Sequence, residues 1–258
     1  MSEAALPSQK VKRLDIKRLF SFLLHPRQVF EQMSAEGRPA WLLPMLLLSL
    51  GLLLRVILTG FLRARAAAMG ELTLPPDWEW WSPDMQNNYM QGIQATQGPA
   101  FLYIIPAVTG LAGLWLGWPI LSGLLHLFST LLGGRGSQAS TLNVVAWSSL
   151  PFAIRDLLKV VYMLFVKHEI ISPGLSGFVT STQGAAGFLG NLLKHADLFL
   201  VWHILLLVIG LYLLDSLSKS KTWLAVLVVL LVSLLAQAGM SMLFSGLNGS
   251  VISQPFFF

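Results

Sequence analysis

The chain has 258 residues, 55% of them hydrophobic and 11% charged, with a net charge of +5 and no cysteine. A soluble domain carries about 25% charged residues, so this composition argues against an ordinary water-soluble enzyme. The missing cysteines exclude a disulfide framework, a thiolate metal site and a cysteine nucleophile. In so apolar a chain, the positive charge points to the anionic face of a membrane rather than to nucleic acid.

Residues 1–40 read as a basic cytoplasmic leader without a cleavable signal peptide. Lys10, Lys12, Arg13, Lys17 and Arg18 are interleaved with Leu14, Ile16, Leu19, Phe20, Leu23 and Leu24. That spacing approximates a helix with one apolar and one basic face, and the five cations are candidate contacts with an anionic membrane surface. A solvated arm that only sets topology is the alternative. Pro26 ends this helix, and Val29, Phe30 and Met33 offer a second short apolar face.

Five apolar segments of membrane-spanning length follow, over 41–61, 99–132, 142–165, 198–214 and 223–244. Arg55 lies near the far end of the first, where a long side chain can snorkel. The loop 62–98 carries Trp78, Trp80 and Trp81, residues suited to the headgroup level. The second segment is too long for a plain span. It either tilts and projects or breaks near Trp118-Pro119, and Gly113-x-x-x-Gly117 permits close helix packing. A Gly133–Gly136 turn leads to the third segment, which holds Pro151 and the charges Arg155, Asp156 and Lys159. A Gly/Ser/Thr-rich loop covers 167–196, and a short extracytoplasmic tail covers 247–258.

Arg155, Asp156 and Lys159 are the candidate intramembrane polar site. A charge deep in hydrocarbon costs about 3 kcal/mol or more unless it is paired. At helical spacing Arg155 and Lys159 share a face, and Asp156 is placed to pair with Lys159. The cluster reads either as a site for an anionic headgroup, a substrate or a partner's acidic residue, or as the outer end of a shorter span. Pro151 lacks an amide donor and opens the helix just before these charges. Asp197 is placed to cap the fourth span. His203 and His126, each alone among apolar neighbours, read as hydrogen-bonding groups between helices. No His-x-x-x-His spacing, phosphate loop or dinucleotide fingerprint is present. Gly174-Leu175-Ser176-Gly177 matches the Gly-x-Ser-Gly of rhomboid-type intramembrane proteases, but it sits in a loop and reads as a turn.

Charge orients the chain. With the amino terminus in the cytoplasm and five spans, ten cations fall inside: Lys10, Lys12, Arg13, Lys17, Arg18, Arg27, Arg38, Arg135, Lys219 and Lys221. Four fall outside: Arg63, Arg65, Lys167 and Lys194. An excess of cations on the cytoplasmic side fits this orientation.

Three segments together resemble the Ypt-interacting-protein (Yip) membrane domain family. They are LFSFLLHPRQVFEQM running into PAWLLPMLLLSL, then STLNVVAWSSLPFAIRDLLKVV, then HADLFLVWHILLLVIGLYLLDSLSKSKTW. The likeness covers roughly residues 14–245, and the compact layout is similar to the prokaryotic branch. It implies a five-helix membrane domain with a cytoplasmic amino terminus and no catalytic residues. It also implies association with membrane transport machinery such as ATP-binding-cassette exporters. The short basic leader differs from the long acidic or Pro-rich leaders of GTPase-linked eukaryotic relatives.

The expectation is therefore an all-α polytopic membrane protein, with the leader over 1–40 and one membrane domain over 41–246. It is expected to sit in a prokaryotic plasma membrane and to act as a non-enzymatic accessory or scaffold, without cofactor, metal or nucleic acid. Its partners would be the bilayer, another membrane protein or a second copy of itself. The alternatives are a small transporter or channel using Arg155, Asp156 and Lys159, and an intramembrane serine hydrolase using Ser176.

Overall fold

A computed structural model describes residues 16–71, 74–75, 77–170, 174–179 and 184–247. Every extended element among them is helical. The helices are α1 (Ile16–Leu24), α2 (Pro26–Glu36), α3 (Leu42–Ala68), α4 (Pro83–Thr96) and α5 (Ile105–Leu131). Next come α6 (Gln138–Ser148), α7 (Leu150–Val166), α8 (Gly184–Leu193), α9 (Leu198–Asp215) and α10 (Lys219–Leu247). Lys10, Lys12, Arg13 and nearly all of the 247–258 tail lie outside the described residues.

Among the described residues, four stretches are long and apolar enough to cross a membrane: Leu42–Ala68, Ala100–Leu131, Leu198–Asp215 and Lys219–Gly239. On α3, Leu46, Leu50, Leu54, Ile57 and Phe61 form an exposed apolar stripe, while Met45, Leu48 and Val56 are buried. A helix that is apolar on both its inner and outer faces is built for lipid rather than water. The second stretch is one continuous helix through Pro119, opened by a π-helical turn over Ala100–Ile104. Its Gly110, Gly113 and Gly117 lie on the buried face, as close packing requires.

The expected third span, 142–165, is two helices joined at Ser149. Pro151 has no N–H to give the Trp147 carbonyl. Phe152 N instead reaches Ser149 O at 2.9 Å, a three-residue spacing. Ser148 O, at the same kink, accepts from Nδ1 of His203 at 2.8 Å. A neighbouring helix thus supplies a donor where the proline interrupts the ladder, and this fixes the His203 proton on Nδ1.

The helices run between two ends of the bundle. Ser129 near the end of α5 donates to the Asp215 carboxylate at the end of α9, and Arg135 N reaches Asp215 O at 3.1 Å. At the other end Arg155 of α7 faces Asp197, which precedes α9. The kinked pair α6–α7 therefore travels from the Asp215 end to the Asp197 end. With 18 residues, α9 separates those ends by about 27 Å, close to the thickness of a hydrocarbon core.

The described part of the leader, from Ile16 on, belongs to this body. Phe22 and the expected second face, Val29, Phe30 and Met33, are buried in a core with Val144 and Trp147 of α6 and Leu207 and Leu211 of α9. Phe22 packs edge-on against Phe30, with ring centroids 5.2 Å apart. Gly210 of α9 makes the fit possible, because a Cβ there would lie 2.5 Å from Val144 Cγ1 and 3.2 Å from Phe30 Cζ.

Candidate functional site

Polar side chains gather at both ends of the bundle. At the Asp215 end they fasten the leader. Asn143 of α6 accepts from Ala40 N at 2.8 Å through Oδ1 and donates to Arg38 O at 2.9 Å through Nδ2. One turn later, Trp147 Nε1 donates to Ala40 O at 2.9 Å. These three bonds hold the link between α2 and α3 against the side of α6. Trp118 Nε1 donates to Leu142 O at 2.9 Å, and Lys221 Nζ donates to Leu132 O at 2.8 Å. Gly136 passes so close to Asp215 that a Cβ would lie 1.7 Å from Oδ1. Only glycine fits there.

At the Asp197 end the polar groups are charged. Asp156 Oδ1 lies 3.5 Å from Arg55 Nε on α3 and 3.9 Å from Arg155 Nε on its own helix. Arg155 NH1 lies 3.4 Å from Asp197 Oδ2, and its guanidinium stands 4.7 Å over the Phe152 ring. Asp197 also caps α9, accepting from Leu200 N at 2.9 Å. Arg155 and Asp156 are buried, with 5% and 7% exposure, and Lys159 is half-buried beside them. Gly51 of α3, whose Cβ would lie 3.5 Å from Asp156 Cβ, lets α3 and α7 approach closely at this level.

The structure corrects two expectations about these charges. Arg55 does not snorkel. Its side chain is 23% exposed and turns inward to Asp156, because an opposite charge on an adjacent helix is a nearer partner than water. Asp156 in turn pairs with Arg55 and Arg155 rather than Lys159. Among the described residues, no carboxylate lies within ion-pair distance of Lys159. His195, just before α9, joins this group. Burial, then Arg155, Lys159 and Lys194, push its pKa down to about 4, so it is neutral at neutral pH.

Of the leader cations, Lys17 is exposed, and Arg18 is ion-paired with Glu36 across the α1–α2 turn. Beyond the charged end, Arg63 of α3 holds Glu169 through two bonds of 2.7 and 2.6 Å. The rings of Trp78, Trp81 and Tyr89 cluster with centroids 5.5 to 5.8 Å apart, and Trp80 is 88% exposed. Ser176 sits in a short 3-10 turn over Gly174–Phe178, not in a span. The motif that suggested a serine nucleophile is thus a turn in the segment between α7 and α8.

A protein-family model described as the Yip1 domain matches residues 20–240, which takes in both polar ends and all four membrane-length helices. No curated protein and no solved structure matches the chain.

Proposed function

The chain belongs to the Yip1 domain family, and from that premise we propose that it is a non-enzymatic accessory or scaffold protein of a prokaryotic plasma membrane. In this reading α3, the continuous second stretch, α6–α7, α9 and α10 are five crossings. The leader lies on the cytoplasmic side, in keeping with the ten cations assigned there.

The observation that carries the proposal is the double-faced helix α1. It is pinned to the bundle through Phe22, yet Ile16, Phe20 and Leu24 are 63%, 64% and 75% exposed on one stripe beside Lys17. A short helix of this kind, fixed at the end of a membrane bundle, is suited to lie in the bilayer interface. Lys17 would then face anionic headgroups, with Lys10, Lys12 and Arg13 preceding it, whereas Arg18 is taken up by Glu36. The charged groups near the Asp197 end join α3, α7 and the start of α9 to one another, as a scaffold requires.

Such a protein acts by holding a partner in the membrane. The fitting partner is a larger transport assembly, for example an ATP-binding-cassette exporter. Mild-detergent purification from native membranes, followed by native mass spectrometry, tests this. A stoichiometric membrane-protein partner is the expected result. A lone chain or a pure homo-oligomer would count against the accessory role.

A further inference from the structure

The charges at the Asp197 end do not balance. Arg55, Arg155 and Lys159 contribute three cations. Asp156 and Asp197 contribute two carboxylates, and both already serve guanidinium groups. His195 adds no charge at neutral pH. Lys194, the next cation along, donates to Asn191 Oδ1 at 2.9 Å. Asn191 is neutral, so at least one positive charge is left over in a largely buried layer, where an uncompensated charge is strongly unfavourable.

The donors are also undersubscribed. A guanidinium carries five N–H donors. Arg55 Nε and Arg155 Nε are buried without a hydrogen-bond partner, as is Asp156 Oδ1. The ion-pair distances of 3.4 to 3.9 Å exceed the roughly 2.8 Å of a charge-assisted hydrogen bond. The layer thus has strong donors to spare and an unmatched ammonium at its edge. It lies one α9 length, about 27 Å, from the Asp215 end. With that end at one membrane boundary, a hydrocarbon core of about 30 Å brings the layer toward the other, and α3 and α7 run on past it to Ala68 and Val166.

We propose that Lys159, with Arg55 and Arg155 behind it, forms a binding site for a phosphate-bearing monoanion at the non-cytoplasmic membrane boundary. A phosphate group offers several acceptor oxygens to ammonium and guanidinium donors and supplies the missing negative charge. The same chemistry is presented by an anionic phospholipid headgroup and by free phosphate. A zwitterionic lipid brings its own cation and leaves the imbalance uncorrected. This site does not depend on the accessory role proposed above.

The test uses the full chain in detergent, as wild type, Lys159→Met and Lys159→Arg. Lys159 is half-buried and has no ion-pair partner among the described residues, so its replacement should leave the fold intact. Lys159→Gln serves as a second neutral variant, and thermal unfolding checks that each protein is folded. In the lipid arm, native mass spectrometry follows retention of phosphatidylglycerol against phosphatidylcholine. In the other arm, inorganic phosphate is titrated and the shift in unfolding temperature is read. The wild type should hold one phosphatidylglycerol in preference to phosphatidylcholine. Lys159→Met should weaken this at least tenfold, and Lys159→Arg should restore it. A phosphate-dependent rise in unfolding temperature lost in Lys159→Met, without lipid preference, would support the site and assign it to a soluble anion. If folded wild type and neutral variants hold both probes equally, the proposal is wrong and Lys159 is merely a cation reaching for the interface.

Discussion

The two ends of the bundle place polar groups beside hydrocarbon in different ways. At the Asp215 end, Asn143 engages both functions of its amide at 2.8 and 2.9 Å, and Trp147 and Trp118 each place an indole N–H on a backbone carbonyl. At the Asp197 end, the groups are fully charged, farther apart and unequal in number. Neutral hydrogen bonds to backbone fix the leader in one position and add no charge of their own; the buried charge at that end, Asp215, accepts from Ser129 instead. Ion pairs at 3.4 to 3.9 Å tie helices together but keep donor capacity unused. The first end is thus a fastening for the leader, whereas the second is a helix junction whose guanidinium donors are not all used.

The sharpest way to break this comparison is Asp156→Leu. Removing the carboxylate shared by Arg55 and Arg155 leaves two guanidinium groups without it, and loss of one partner of a buried pair costs about 3–5 kcal/mol. Denaturation in detergent should show that loss, and adding Arg55→Leu should recover part of it. At the opposite end, Asn143→Ala strips Ala40 N and Arg38 O of their partners, at about 0.5–1.5 kcal/mol for each part-buried hydrogen bond lost. Protease cleavage within 37–40 should rise in parallel. Gly210→Ala forces a methyl group against Val144 and Phe30, and overpacking of this kind costs about 1–3 kcal/mol. Unlike Asp156→Leu, it should loosen the leader and leave the charged end unchanged.

The smallest effect concerns pH. His195 is held near pKa 4 in the fold, against an ordinary 6.5. The unfolded chain therefore binds the proton first, and stability falls as pH drops from about 6.5 toward 4. An unfolding series across that window should show this decline, and His195→Asn should flatten it. An unchanged slope would mean that His195 does not belong to the buried layer.

Much of this was legible in the sequence because it depends on local pattern. The spans over 198–214 and 223–244 appear as Leu198–Asp215 and Lys219–Leu247. Asp197 caps its helix, Val29, Phe30 and Met33 form a buried face, and Pro151 marks a kink. What the sequence hid depends on contacts between distant segments. The direction of Arg55 is decided by Asp156 on another helix, and Asp156 itself turns from Lys159, its expected partner, to the two arginines. The first span runs on to Ala68 rather than ending at 61, with Arg63 held by Glu169 beyond α7. The donor that reaches the α6–α7 kink, His203, was recognisable as a lone polar side chain, but its acceptor was not.

The leader is fastened into one end of the bundle, and the proposed orientation makes that end cytoplasmic. The chain contains no cysteine, so single cysteines can be introduced one at a time across 26–36 and probed with a membrane-impermeant maleimide. In inside-out vesicles, Arg27→Cys, Gln28→Cys, Glu31→Cys and Gln32→Cys should label, while Val29→Cys, Phe30→Cys and Met33→Cys should be protected. In right-side-out vesicles none should label. Equal labelling at all positions in inside-out vesicles would show a free arm, and labelling from the opposite side would place the amino terminus outside; either result would contradict the account.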